Sequence, residues 1–78
     1  MIKLYEITDN QGYTKYYVKG VKSDKEATKL GKSVFGSKCF HDVSHYSDDA
    51  NKSSIPKRFQ MTKDAFKKLK SDYRFCKK

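Results

Sequence analysis

Within the first 21 positions two stretches are rich in β-branched and aromatic residues, and the side chains of the second divide into a core face and a face that alternates tyrosine and lysine. The stretches 2–8 and 13–21 flank the segment Asp9-Asn10-Gln11-Gly12, whose residue types suit turn positions, including those with positive φ. The pattern predicts a β-hairpin. The face expected to point to the core carries Tyr5, Ile7, Tyr16 and Val18.

The following residues have the spacing of an amphipathic helix. Ser23-Asp24-Lys25-Glu26 predicts a capping box, in which the serine oxygen accepts from the Glu26 amide and the Glu26 carboxylate reaches back to the cap. Gly36 is placed to end the helix. Gly31 on the buried stripe predicts close packing on the sheet. The predicted apolar stripe consists of Ala27, Leu30, Gly31, Val34 and Phe35.

A third strand is predicted over residues 39–47, with Cys39, His41, Val43 and His45 on one face. Residues 47–54 are small and polar and predict a flexible loop, and Pro56 disfavours a regular element there. Residues 57–61 predict a short edge strand.

The last part of the chain predicts a second helix with one apolar and one basic side. Thr62 is placed as its N-cap. The apolar side carries Ala65, Phe66, Leu69 and Tyr73, and the basic side carries Lys63, Lys67, Lys68, Lys70 and Arg74. The chain is therefore expected to form one α+β domain, residues 1–78. In it a small antiparallel sheet, made of the N-terminal hairpin and the third strand, carries packed helices, the last of them basic.

Composition supports a folded chain and adds a charge imbalance. The 78 residues are 36% hydrophobic and include six Tyr and five Phe, large rings that disordered chains lack. Residues 51–78 hold ten Lys/Arg and two Asp, a net charge of +8, whereas residues 1–50 hold eight Lys and seven Asp/Glu, a net charge of +1. Such an uneven field draws polyanions or acidic protein surfaces.

The cellular location of the protein is predicted from its hydrophobic runs, its N-terminus and its cysteines. No apolar run approaches the roughly 20 residues that span a bilayer, and the charged N-terminus has no signal-peptide pattern. A cytoplasmic location in a host cell is expected. Cys39 and Cys76 are too few for a disulfide scaffold, and a reducing compartment is expected to keep them as thiols.

The basic C-terminal third is the first candidate binding site. Its proposed contact residues are Lys57, Arg58, Lys63, Lys67, Lys68, Lys70 and Arg74, with Lys52, Lys77 and Lys78 also available. Lysine outnumbers arginine eight to two here, which favours point-charge contacts to phosphates over bidentate reading of bases. A solvated, solubilising surface is the alternative interpretation.

The second candidate is the hairpin face that alternates tyrosine and lysine: Tyr13, Lys15, Tyr17 and Lys19. Exposed aromatic rings stack unpaired bases, and lysines between them hold the backbone. The same face also suits a protein partner, since tyrosine is enriched at interfaces. Alternatively, the rings only cover the sheet or lie under a later segment.

Catalysis and metal binding have less support. Cys39, His41 and His45 share one face of a strand, with Cys76 as a possible fourth zinc ligand. His41 and His45 would, however, lie about 13 Å apart on an extended strand.

The chain has no phosphate loop, nucleophile elbow or HExxH helix. A non-enzyme without metal or cofactor is expected, and a zinc-stabilised domain is the least favoured alternative.

One stretch carries a resemblance. Cys39-Phe40-His41-Asp42-Val43, after a helix ending Val34-Phe35-Gly36, is similar to a segment of a small basic anti-CRISPR inhibitor of type I-F complexes, in which a hairpin and a helix also precede a Cys-Phe-His strand. The similarity covers residues 1–46, and the basic C-terminal third departs from it. The resemblance implies a non-catalytic phage inhibitor whose lysines occupy a nucleic-acid-facing site on a defence ribonucleoprotein or recruit DNA nonspecifically.

Two functions are therefore expected. The first is a small inhibitor from a phage or mobile element that docks on a host defence protein or nucleoprotein complex. The second is a sequence-independent module that binds DNA or RNA directly through the C-terminal lysines. No membrane partner is expected.

Overall fold

The computed structural model describes residues 1–77, without the Lys77 side chain. The ammonium group of Lys77 and all of Lys78, both counted in the basic C-terminal third, lie outside the described residues. Strands β1 (Leu4–Asp9), β2 (Lys15–Lys19), β3 (Phe40–Ser47) and β4 (Gln60–Met61) form one sheet in the order β3-β1-β2-β4. The helices are α1 (Asp24–Phe35) and α2 (Lys63–Lys67), and α2 continues as a 3₁₀ segment, Lys68–Lys77.

The α+β prediction is confirmed, with a change in the sheet. β1 pairs antiparallel with β2, as the predicted hairpin requires, and β3 pairs antiparallel with β1, a strand order that the sequence did not indicate. The short β4 pairs parallel to β2 and makes the sheet mixed. The chain reaches β4 from the opposite edge of the sheet through 3₁₀ turns at Ala50–Lys52 and Lys57–Phe59. The path of this connection decides that β4 runs parallel to β2. The local pattern that predicts a hairpin contains no information on that path, so the sequence could not indicate this pairing.

Both helical elements cover one face of the sheet, called here the helical side. The core between them contains Tyr5, Ile7 and Val18 from the sheet, Ala27, Leu30, Val34 and Phe35 from α1, and Phe66 from α2. The predicted core faces of the hairpin and of α1 are therefore confirmed. Tyr16 is only half-buried, and its ring lies between Phe35 and Phe66, with centroids 5.7 and 5.8 Å away.

The ends of α1 follow the predicted chemistry. The Ser23 hydroxyl accepts from the Glu26 N–H at 3.1 Å, while the Glu26 carboxylate accepts from the N–H of Lys22, one residue before the cap. Gly36 ends the helix at φ 85°, and its N–H donates to the Lys32 carbonyl. A left-handed residue at this position favours glycine.

Gly31 lets α1 approach the sheet closely, as predicted. A Cβ at this position would lie 2.7 Å from Cε1 of Phe40 and 3.0 Å from Cγ2 of Ile7. We expect Gly31→Ala to lower the free energy of unfolding by about 1 kcal/mol, because overpacking outweighs the ~1 kcal/mol helix preference of alanine. Urea unfolding followed by circular dichroism measures this. Ser33→Ala, on the exposed side of α1, is the control and should cause no loss. A stabilised Gly31→Ala protein would contradict the packing argument.

The prediction that both cysteines stay reduced is wrong, because Cys39 and Cys76 form a disulfide with a Cα–Cα distance of 5.8 Å. The bond joins the residue before β3 to the end of the 3₁₀ segment, 37 residues later. The two cysteines are far apart in sequence, and only the packing of the C-terminal segment on α1 brings them together. Within residues 1–77, no helix has the length and apolar character needed to cross a membrane.

Candidate nucleic-acid interface

The C-terminal segment is held to the domain at three points. Phe66 is fully buried, the Tyr73 hydroxyl donates to the Asp9 carboxylate, and Cys76 is bonded to Cys39. The predicted N-cap is confirmed, since the Thr62 hydroxyl oxygen accepts from the Ala65 N–H at 3.1 Å. The predicted C-terminal helix is present, but it is α-helical only over Lys63–Lys67 and continues as a 3₁₀ helix from Lys68, with a kink at Tyr73 (φ −116°, ψ 21°).

Asp9 and Tyr73 form the centre of a buried polar network. The other carboxylate oxygen of Asp9 accepts from the N–H groups of Gln11 and Thr14 in the hairpin turn. The Tyr73 hydroxyl also bonds the Tyr16 hydroxyl at 2.9 Å. Burial, the hydrogen bond to Asp9 and that to Tyr16 raise the pKa of Tyr73 far above its usual range. The network therefore fixes the C-terminal segment to the hairpin turn.

Tyr73→Phe should lower the free energy of unfolding by about 1–3 kcal/mol, because it leaves a buried Asp9 oxygen without its donor. Chemical denaturation of the variant and the wild type gives the difference. Tyr46→Phe is a matched control, since its hydroxyl bonds Ser54 at the surface at 2.8 Å. The control should lose at most about 0.5 kcal/mol. Equal losses in the two variants would contradict a stabilising role for the network.

The anchored segment presents lysines on the helical side. Lys67, Lys68, Lys70 and Arg74 are all exposed, and we call these four residues the helical basic surface. α1 lies on the same side and exposes Lys25, Lys29 and Lys32, which the sequence interpretation did not include. The carboxylates of these helical elements are Asp24, Glu26, Asp64 and Asp72. Basic groups therefore outnumber acidic ones on this side.

The remaining predicted basic residues are placed differently. Lys63 is half-buried and donates to the Glu26 carboxylate at 3.1 Å; this hydrogen bond is the main reason that the pKa of Glu26 is lowered. Lys63 is thus already paired. Lys57 and Arg58 are exposed in the 3₁₀ turn before β4, and the Arg58 guanidinium lies 4.8 Å from the centroid of the Phe59 ring.

The tyrosine–lysine face of the hairpin lies on the opposite, outer face of the sheet, and its members are not equivalent. Tyr17 is half-buried and its ring contacts Tyr46 at 5.4 Å, so it offers no free stacking platform. Burial, followed by the nearby Glu6 carboxylate, raises the pKa of Tyr17. Lys19 is half-buried. Lys15 is exposed and lies 3.8 Å from a carboxylate oxygen of Glu6.

Tyr13 is in the turn and not in β2, where the sequence placed it. Its φ of 55° is in the left-handed region, which costs an aromatic residue about 1–2 kcal/mol, and the residue is 63% exposed. The ring meets His41 in a T-shaped contact with centroids 4.9 Å apart. A bulge in β3 positions His41: Phe40 pairs with Asp9 and Asp42 with Thr8, which leaves His41 as the extra residue.

The bulge also changes the predicted faces of β3. The sequence placed His41 and Val43 on one face, but Phe40 and Val43 pack on the core, while His41 and Asp42 border the outer face. Together with Tyr13 they surround a cavity of about 220 Å³, called here the Tyr13 pocket. Its lining residues are Glu6, Thr8, Tyr13, Lys15, His41, Asp42, Val43 and Ser44.

The zinc alternative is not supported by this geometry. Cys39 and Cys76 are bonded to each other and provide no thiolate ligand. His41 contacts Tyr13, whereas the His45 ring contacts Tyr5 on the other face, 5.2 Å away, and its Nε2 lies 3.0 Å from Asp48. In the described part of the chain, no group of three His, Cys, Asp or Glu residues is arranged to hold a metal ion.

The surroundings of the two surfaces indicate what each can bind. The helical basic surface offers flexible point charges on an anchored support, which suits phosphates or carboxylates. The Tyr13 pocket offers rings, carboxylates and one ammonium group, which suits a planar polar ligand.

No protein family, curated protein or solved structure matches the chain significantly. The anti-CRISPR resemblance therefore stays a prediction.

Proposed function

We propose that this protein is a small non-enzymatic inhibitor, of phage or mobile-element origin, that acts in the host cytoplasm. Its helical basic surface docks on a host defence protein or ribonucleoprotein complex and blocks the engagement of nucleic acid there. The observation that supports the proposal most is the exposure of Lys67, Lys68, Lys70 and Arg74 on a segment anchored by Phe66, Tyr73 and the disulfide.

Anchoring matters because it reduces the entropy lost on binding. A disordered basic tail must be ordered when it meets its partner, whereas a segment already packed on the domain has lost that freedom on folding. Lysines carried on a fixed backbone also suit a surface with fixed negative charge, such as a phosphate backbone or an acidic surface that normally faces one. Lysine-rich contacts of this kind carry little base information.

A cytoplasmic site of action is compatible with the disulfide. Cytosolic reductants keep most cysteines as thiols, but exchange requires that a thiolate reach one of the sulfurs. Cys39 and Cys76 are buried, with exposures of 2% and 5%. Burial therefore slows reduction of the bond in the folded protein.

Co-purification tests the inhibitor proposal. The tagged protein is recovered from a host lysate treated with nuclease, and the expected result is a stoichiometric protein partner whose binding of DNA or RNA falls when the inhibitor is added. The same experiment with Lys67, Lys68 and Lys70 changed to Glu should lose the partner. Recovery of no stoichiometric protein, or of one whose nucleic-acid binding is unchanged, would overturn the proposal.

A second candidate is direct, largely sequence-independent binding of DNA or RNA. The exposed Tyr13 ring beside Lys15 favours it, because single-strand binding combines aromatic stacking with basic groups. The expected result is an affinity for an oligonucleotide that falls steeply as salt rises, measured by fluorescence anisotropy. Affinity that is absent at low salt, or unaffected by salt, would reject this candidate.

A further inference from the structure

The Tyr13 pocket is a small, polar site with aromatic walls. Its volume of about 220 Å³ is below the roughly 300–1,000 Å³ of sites for drug-sized ligands, so it suits a single ring. Tyr13 and His41 meet edge to face, and both side chains are exposed. The face of a ring is thus available for stacking at the mouth of the pocket.

Two backbone irregularities create this arrangement. The left-handed conformation of Tyr13 holds its ring outside the core, and the β3 bulge turns His41 toward the same place. Both side chains, those of Tyr13 and His41, remain exposed, so neither irregularity is compensated by burying the residue that it repositions. A backbone that holds exposed rings together at an energetic cost is typical of a binding site.

The polar groups of the pocket include both acceptors and a donor. Glu6 and Asp42 contribute carboxylates, and Lys15 also lines the pocket, with its ammonium 3.8 Å from a Glu6 carboxylate oxygen. Thr8 and Ser44 add hydroxyl groups. Two carboxylates disfavour a phosphate inside the pocket, but they accept hydrogen bonds from amino groups.

We propose that the Tyr13 pocket binds one unpaired nucleobase of a single strand and prefers a base with an exocyclic amino group. The base stacks on the exposed Tyr13 ring, and its amino group donates to Asp42 or Glu6, as cytosine does when acidic side chains read it. Uracil and thymine have no such donor. The inference rests on the direct nucleic-acid binding proposed above and adds a base preference that the helical basic surface does not provide.

The charge of the whole chain decides between a base and a cation in this pocket. A guanidinium group would also stack on the Tyr13 ring and pair with the carboxylates. The net charge of +9, however, attracts a nucleic-acid strand to the protein and repels an arginine-rich segment. The field therefore favours a nucleobase as the occupant.

The test is an anisotropy titration with labelled 12-nucleotide oligo(dC) and oligo(dT) at pH 7.5 over a range of salt. We expect the wild type to bind oligo(dC) about 10-fold more tightly. Tyr13→Asn, which keeps a residue tolerant of positive φ, should weaken oligo(dC) binding about 10- to 100-fold without changing the salt slope. Tyr13→Phe keeps the ring and should bind as the wild type does. Phe75→Ala removes a ring of similar exposure, 58%, outside the pocket, and should change neither affinity.

Each alternative result has a separate meaning. Equal affinities of the wild type for the two oligonucleotides, or unchanged binding by Tyr13→Asn, would overturn the pocket proposal while salt-dependent binding by the helical basic surface stands. Absence of binding to both oligonucleotides would overturn the pocket proposal and the second candidate function, but not docking on a protein. An arginine-rich peptide bound by the wild type and lost in Tyr13→Asn, with oligonucleotide binding unchanged, would assign the pocket to a cation instead. Circular dichroism of each variant confirms that it is folded.

Discussion

Breaking the Cys39–Cys76 disulfide is expected to lower the free energy of unfolding by about 4 kcal/mol. The bond closes a loop of 37 residues, and such a cross-link removes conformational entropy from the unfolded chain. A 78-residue domain is stable by only about 4–12 kcal/mol, so the loss would be a large part of the total. The reduced protein should begin to unfold close to physiological temperature.

Urea unfolding with and without dithiothreitol measures this effect. The double variant Cys39→Ser/Cys76→Ser serves as the control, since it should resemble the reduced wild type and not respond to reductant. Mass spectrometry after alkylation should find no free thiol in the oxidised protein. If both cysteines are alkylated before reduction, or if the urea midpoint of unfolding is unchanged after reduction, the disulfide does not stabilise the protein as expected.

Charge reversal on the helical basic surface is expected to have the largest effect on binding. If Lys67, Lys68 and Lys70 each contact a phosphate, changing all three to Glu should reduce the slope of log affinity against log salt by about 2–3. The affinity for a DNA duplex at 50 mM salt should fall on the order of 10³-fold. The fold should remain intact, because all three side chains are exposed.

A variant of equal net charge separates a local surface from a general attraction. Lys3, Lys22 and Lys52 are exposed and lie outside the helical basic surface and the Tyr13 pocket, and their change to Glu lowers the net charge by the same amount. We expect this control to reduce the affinity far less and to leave the salt slope nearly unchanged. Equal losses in the two triple variants would mean that the helical basic surface is not a defined contact site.

The elements predicted well are those whose signals lie close together in the sequence. The β1–β2 hairpin follows from alternation, and α1 follows from an apolar stripe with Ser23 at its start and Gly36 at its end. Hydrogen bonds within a few residues and side-chain periodicity decide such elements. Gly31 was informative for the same reason, since a glycine on a buried stripe indicates where another backbone or ring comes close.

The C-terminal segment shows where local signals fail. Its apolar spacing predicts an α-helix through Arg74, yet the chain tightens to a 3₁₀ helix at Lys68 and kinks at Tyr73. The Tyr73 hydroxyl and the Cys76 sulfur are both held by residues outside the helix, Asp9 and Cys39. Tertiary bonds of this strength override a weak preference for the α-helix.

The sequence alone determined the composition of the candidate interface: an excess of lysine over arginine in the C-terminal third, and a hairpin with tyrosines and lysines. It also determined the α+β class. Only the tertiary structure decided which of these groups are available. It paired Lys63 with Glu26, placed Tyr17 against Tyr46, and used a bulge to bring His41 to Tyr13. The physical reason is that charge and periodicity are properties of residues and near neighbours, whereas exposure, strand register and a disulfide between distant cysteines depend on how the whole chain packs.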